Sequence, residues 1–321
     1  MSEGDSQEKR IRISRDFSAV GNATAPALTC NLSRALTCCG GRGYKLGMQG
    51  ALTHATLCDC VVSCAACLGR ARIMDGNDSR LCRNPPPNVV ANLINAGMIP
   101  ARYAAASLER FRNFSGNGQQ VIAELKAWRS RFSLSGSRPG SSVGTSAAKG
   151  LILEGPVGVG KTFILASLAK DFAERGLSVR FTDFFQLLGE LKAGFSQGKA
   201  DAAQLAPLIN VDLLFIDELG KGRNNDFELT ILDQLVCGRY NQNKPIIAST
   251  NYRLRGRSFD ANASLDEGPG TGTNAFASDR YVNLEQRIGP RMFSRLGEMC
   301  SFVELKGDDF RRDEHRRGAS P

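Results

Sequence analysis

The chain has 321 residues, 42% of them hydrophobic and 23% charged, with a formal net charge of +9. This is the composition of an ordinary globular protein with room for two domains, and it excludes a disordered or collagen-like chain. No run of about 18 apolar residues occurs, which excludes a membrane-spanning helix.

The charge is lopsided. Residues 1–150 carry 19 Lys/Arg against 9 Asp/Glu, and residues 151–321 carry 22 against 23. The basic excess therefore sits in the front half, where it favours an acidic partner such as nucleic acid or an acidic protein face over a merely solvated surface. The amino terminus, MSEGDSQEKRIRISRDF, is charged where a secretory signal needs an apolar core. A cytoplasmic, thiol-reducing setting is expected, with residues 1–27 as a charged tail.

Residues 28–84 hold eight of the ten cysteines. Cys58 and Cys60 form C-x-C, Cys64 and Cys67 form C-x-x-C, and Cys82 follows. Cys38 and Cys39 are adjacent, so no regular C-x-x-C opens the module, although Gly-Gly-Arg-Gly after Cys39 is suited to a zinc-ribbon knuckle. Thiolates are good zinc ligands, and a short, weakly apolar segment needs a metal to fold. Structural Zn2+ is the leading expectation, against a redox switch or inert thiols. Spacing leaves open which four thiols share an ion, whether there are one or two sites, and whether His54 replaces a thiol. Cys237 and Cys300 lie in apolar patterns and read as buried small hydrophobes.

Residues 85–149 read as a linker with leading helices, including GMIPARYAAASLERF (97–111). They also contain a Gly/Ser-rich insertion, SRPGSSVGTSAA, at 137–148. From 150 the punctuation changes. GLILEGPVGVGKT (150–162) is a short apolar strand running into G-x-x-x-x-G-K-T and an amphipathic helix. Gly155, Pro156, Val157, Gly158, Val159 and Gly160 wrap a phosphate, with Phe163 just inside the helix. Lys161 reaches the β/γ oxygens, and the Thr162 hydroxyl holds Mg2+.

NVDLLFIDELG (210–220) is a strand apolar throughout that ends in an acidic pair. Asp217 is expected to hold Mg2+ through water, and Glu218 to deprotonate the attacking water. KPIIASTNY (244–252) places Asn251 at another strand's carboxyl end, where ligands sit in open parallel sheets. Arg287, Arg291 and Arg295 recur every four residues, as on one helix face, with Pro290 bending or starting the helix. They are either a solvated row or an arginine finger reaching a neighbouring subunit's nucleotide. Alternating strand and helix patterns over 150–312 predict an α/β fold with a five-stranded, mainly parallel sheet. A Gly-rich loop at 259–280 and a charged tail at 313–321 complete the division. In FTDFFQLLGELKAGF (181–195), Phe184 and Phe185 are core candidates as much as base-stacking platforms beside Lys192.

Taken in this order, the lead-in segment, GPVGVGKT, LLFIDELG, the ILDQLVCGRYNQNKPIIASTN run and SRLGEMCSFVELKGDDFR resemble AAA+ ATPases. The likeness is to bacterial replicative helicase loaders of the DnaC type and the related IstB-type transposition helper ATPases, and it covers about 95–312. The resemblance implies ATP and Mg2+ as ligands, hydrolysis of ATP to ADP and phosphate, and Asn251 as a sensor. It makes Arg295, with Arg291 beside it, the finger acting in trans, and Arg311 a second sensor contacting ATP in cis. It further implies a hexameric replicative helicase and single-stranded DNA as partners, self-association into a spiral or ring, and a zinc-bearing front end that docks on the helicase. The alternatives are a transposition helper that recruits a transposase to DNA, and a zinc-bearing switch that binds ATP with little turnover.

Overall fold

The computed structural model describes residues 28–30, 38–63, 72–75, 78–81, 87–112, 116–132, 149–198, 200–223, 225–254 and 282–310. Cys64, Cys67, Cys82, Arg311, the two insertions and both tails lie outside these described residues.

The front end consists of short antiparallel pairs. β1 (Leu28–Cys30) pairs with β4 (Val61–Ser63), and β5 (Arg72–Asp75) pairs with β6 (Asp78–Leu81). Between Cys39 and Cys58 runs a hairpin of two six-residue strands, β2 (Tyr44–Gln49) and β3 (Leu52–Leu57), in register from Tyr44 opposite Leu57 to Gln49 opposite Leu52. Helix α1 (Pro87–Ala96) follows. The lead-in segment then makes two single-turn 3-10 helices, Ala101–Tyr103 and Leu108–Arg110, before α2 (Gly118–Ser130).

The rest is the expected α/β sheet. Its strands are β7 (Gly150–Glu154), β8 (Val179–Asp183), β9 (Leu213–Asp217), β10 (Ile246–Thr250) and β11 (Cys300–Glu304), in the order β11-β7-β10-β9-β8. Every pairing in it is parallel. Helices α3 (Lys161–Glu174), α4 (Phe184–Ser196), α5 (Asp201–Asn210), α6 (Asp226–Asn241), α7 (Leu284–Ile288) and α8 (Pro290–Met299) connect and cover it.

Side chains on a strand alternate between faces, and that alternation splits the core in two. Leu151, Leu153, Leu213, Phe215 and Ile247 face α1, α2 and α3. Ile152, Leu214, Ile216, Ile246 and Ala248 face α4 through α8. Each such strand is apolar up to its carboxyl end because it is buried on both faces. Tyr44 and Ala55 of the hairpin belong to the first of these cores, so the cysteine-bearing hairpin and α3 share one apolar interior.

Arg239 on α6 is 0% exposed. Its guanidinium donates to the carbonyls of Leu208, Ile209, Val211, Asp212 and Pro245 at 2.7–3.1 Å. It closes the carboxyl end of α5, whose last carbonyls have no intrahelical partners, and ties that end to the approach of β10.

The three arginines of the carboxyl-terminal pattern do not share one helix face. α7 ends at Ile288, capped by Gly289, and Pro290 starts α8 at its first position, so the four-residue rhythm is broken between Arg287 and Arg291. Arg287 turns to the carbonyls of Gly220 (3.0 Å) and Gly222 and lies over the Tyr252 ring at 5.2 Å. Arg295 and Arg291 turn to Asp233 on α6, at 3.2 and 4.0 Å. On α4, Phe184 is buried core, while Phe185 is 54% exposed and Lys192 is exposed. No helix among the described residues is long and apolar enough to cross a membrane.

Candidate nucleotide site and thiol seat

The carboxyl ends of β7, β9 and β10 open on a cavity of about 490 Å3. β7 runs through the loop 155–160 into α3, and Gly158 and Gly160 hold positive φ of 85° and 98°, a region costly for residues with a Cβ. At Gly160 a Cβ would lie 2.7 Å from the Phe111 ring, and at Gly158 it would collide with the Asp309 carboxylate. The glycines thus admit both the turn and the close approach of neighbouring chain. Lys161, the first residue of α3, curls back to donate from Nζ to the carbonyls of Gly155 and Pro156, each at 2.7 Å. Both bonds lie along the loop that a phosphate would fill.

Asp217 ends β9 and is buried. It accepts hydrogen bonds from the hydroxyls of Ser249 on β10 and Thr162 on α3. Burial pushes its carboxyl above the ordinary value of 3.8, and the two hydroxyls pull the other way. Glu218 takes a left-handed backbone, φ 55°, while its N–H donates to Ser249 Oγ at 3.1 Å. Such a conformation is costly for a residue with a side chain and needs support from its surroundings. Here Ser249 supplies that support and the Glu218 side chain lines the cavity. The Lys221 ammonium engages the Glu218 carboxylate, which raises the lysine's pKa. Asn251, one residue beyond β10, lines the same cavity and is exposed.

Sequence reasoning missed two features. Ser249 bridges the acidic pair from the neighbouring strand; a hydroxyl at the end of an otherwise apolar strand was the available signal. The opposite wall comes from the lead-in segment, through Arg102, Tyr103 and Phe111. The Phe163 ring, one residue into the helix from Thr162, meets Tyr103 edge-on at 6.4 Å and Phe111 at 6.0 Å. Phe310 closes the cavity from the carboxyl-terminal side, its N–H donating to Gly158 O at 3.2 Å. Arg291 and Arg295 do not line the cavity; Arg295 instead meets Asp233 and the Cys237 thiol, the latter at 2.6 Å.

A second constellation forms at the thiol end of the hairpin. The sulfurs of Cys38, Cys39, Cys58 and Cys60 all lie within 4.8 Å of one another. Cys39 and Cys60 approach to 3.5 Å, and Cys38 and Cys58 to 3.4 Å. A tetrahedral zinc with Zn–S bonds of about 2.3 Å needs sulfurs about 3.8 Å apart, so the donor set fits that ion. The Gly43 N–H donates to Cys39 Sγ at 3.2 Å, an outer bond of the kind that orients a ligand. The Cys38 thiol is pushed up to about 12, first by its bond to Cys58 and then by that to Cys60. The adjacent Cys38 and Cys39, irregular in sequence, both belong to the set. His54 does not join any such set among the described residues.

Residues 141–257 match the family model of IstB-like ATP binding proteins. The replicative helicase loader DnaC of Escherichia coli is 32% identical over 104 residues, 32% of this chain and 42% of the relative. An insertion-sequence ATP-binding protein of Mycobacterium tuberculosis is 28% identical over 163 residues, 48% of this chain and 61% of the relative. The chain thus spans between two fifths and about three fifths of the length of these relatives. A crystal structure of the DnaC helicase loader aligns at 23% identity with a TM-score of 0.48, covering 64% of this chain and 99% of that one.

Proposed function

We propose that the protein is an ATP-hydrolysing helicase loader of the AAA+ class. The observation that carries the hydrolytic part is Glu218, held in a left-handed turn at the end of β9, beside buried Asp217 and lining the same cavity as Lys161 and Thr162. A carboxylate one residue beyond the metal-holding acid is suited to take the proton of an attacking water, as hydrolysis requires. Lys161 exchanges its two loop carbonyls for phosphate oxygens. Thr162 and Asp217 hold a magnesium ion, which when bound neutralises charge on the β- and γ-phosphates. Glu218 releases Lys221 and accepts the proton of the attacking water, and Asn251 orients that water. Arg295, with Arg291, serves the nucleotide of an adjacent subunit, in keeping with their place outside this subunit's own cavity. The four-thiol seat takes a structural Zn2+ and forms part of the front end that meets the helicase, while the assembled subunits hold single-stranded DNA.

Glu218→Gln tests the core of this reading. It should bind ATP normally and lose about 100-fold or more in turnover, the usual share of a general base. Unchanged turnover would sink the assignment. Arg295→Ala should bind ATP yet hydrolyse it poorly, and mixing it with Glu218→Gln subunits should restore part of the activity. A second reading, a helper that recruits a transposase to DNA, is favoured by the matched family and by the insertion-sequence relatives. Pull-down with ATP from the native cell separates the two: a hexameric helicase supports the loader, and a transposase supports the helper.

A further inference from the structure

The hairpin touches both constellations. At its thiol end, Gly43 donates to Cys39 Sγ and its carbonyl accepts from the Cys58 N–H at 2.9 Å. The next residue, Tyr44, is buried in the core shared with α3, and its hydroxyl donates to Glu174 Oε1 at 2.7 Å, in the last turn of α3. At the turn end, the hairpin grips the lead-in segment. The Thr53 N–H donates to Ile99 O at 2.7 Å, Thr53 Oγ1 to Pro100 O at 3.0 Å, and the Ala101 N–H to Ala51 O at 2.8 Å. The residues that follow, Arg102 and Tyr103, form the cavity wall. From the far side the buried Lys170, one turn before Glu174 on α3, donates to Ala104 O at 3.0 Å and also to Ala106 O.

A wall segment with only two single-turn helices of its own is thus clamped between the thiol-bearing hairpin and the helix that begins with Lys161. We propose that Tyr44 and Lys170 are positioning residues of the nucleotide pocket, and that filling the four-thiol seat with a metal ion tightens nucleotide binding through them. The proposal rests on the nucleotide and zinc readings above. The physical basis is preorganisation: a wall already ordered does not charge its ordering entropy against the ligand. Coupling between two sites is reciprocal, commonly about 5- to 150-fold in affinity.

The test measures the affinity of the full-length protein for a fluorescent ADP analogue in three states: zinc-loaded, stripped with a chelator, and reloaded with zinc. Stripping should weaken binding about 5-fold or more, and reloading should restore it. Saturating ADP should raise zinc affinity, read by competition with a chromophoric chelator, by the same factor. Tyr44→Phe keeps the ring and all four thiols. It should retain zinc, bind the analogue more weakly and respond less to stripping. Lys170→Met should weaken binding, and Lys170→Arg should recover part of the loss, a rescue that simple loss of stability would not give. If zinc and nucleotide both bind with no mutual effect, or if Tyr44→Phe responds to stripping as the parent does, the coupling is overturned alone. If the zinc-loaded protein takes no nucleotide, or the protein takes no zinc, the corresponding earlier reading falls and the coupling with it.

Discussion

In the sheet, Leu151, Ile152, Leu153, Leu213 and Ile246 are at most 1% exposed, and aliphatic side chains fill both faces. At the thiol end of the hairpin the buried cluster consists of Cys39, Cys58 and Cys60, with Val61 partly buried against them. A fully buried aliphatic side chain is worth about 1.5–3 kcal/mol, so the sheet stands on area alone. Three thiols and part of a valine supply far too little area to order that end, a difference that the proposed metal would make up. The hairpin between the two regions belongs to both: its thiols sit in the poor cluster, and its Tyr44 and Ala55 in the rich one.

The sharpest break of this contrast is chelation followed by amide hydrogen exchange. With zinc removed, the amides of Cys58 and Val61 should exchange faster by about a hundredfold or more, approaching the rates of locally open segments. Those of β7, β9 and β10 should not change. The amides of Thr53 and Ala101, bonded to Ile99 O and Ala51 O, should accelerate by a smaller factor, about 5-fold, as the lead-in segment loosens with the hairpin. Uniform acceleration across hairpin and sheet would mean that the two regions are not distinct in stability.

Next in size is Arg239. Arg239→Met removes the donors for five carbonyls, two of them in fully buried bonds, and should cost about 3–5 kcal/mol, a fall in Tm of roughly 10 °C. Zinc content should be unchanged, because the residue lies in the other core. A Tm within 2 °C of the parent would show that the carbonyls find other partners.

The smallest effect has the opposite sign. Burial raises the Asp217 carboxyl above its unfolded value of 3.8, so the native state holds this proton more tightly than the unfolded chain. That contribution falls away as pH rises through the raised value, leaving an uncompensated penalty at neutral pH. Asp217→Asn should therefore raise the Tm of the nucleotide-free protein at pH 7, by about 2–4 °C for each kcal/mol relieved. The gain should vanish below pH 4, and Mg2+-dependent nucleotide binding should be lost. A lower Tm at pH 7 would contradict this sign.

How much of the site was legible followed from how local its signals are. GPVGVGKT is read by one turn and one helix start, and LLFIDELG by one buried strand. Both could be placed without knowing what lies beside them. Ser249, by contrast, acquires its role only because β10 lies between β7 and β9. Tyr103 and Phe111 reach the cavity only because Lys170 and the hairpin hold their segment over α3. Arg287 leaves the apparent row because Pro290 starts a new helix. The fate of Cys38 and Cys39 depended on a hairpin whose strands bring Cys58 and Cys60 back beside them.

The sequence by itself determined a doubly covered parallel sheet, a phosphate loop and an acidic pair at a strand's carboxyl end, since apolar runs, glycine spacing and strand ends act over a few residues. Only the tertiary structure decided which thiols meet, what walls the nucleotide cavity and where each arginine points. Those outcomes depend on residues 20 to 152 positions apart, from Cys38 and Cys58 to Gly158 and Phe310, being brought within hydrogen-bonding distance, and no local pattern encodes that encounter.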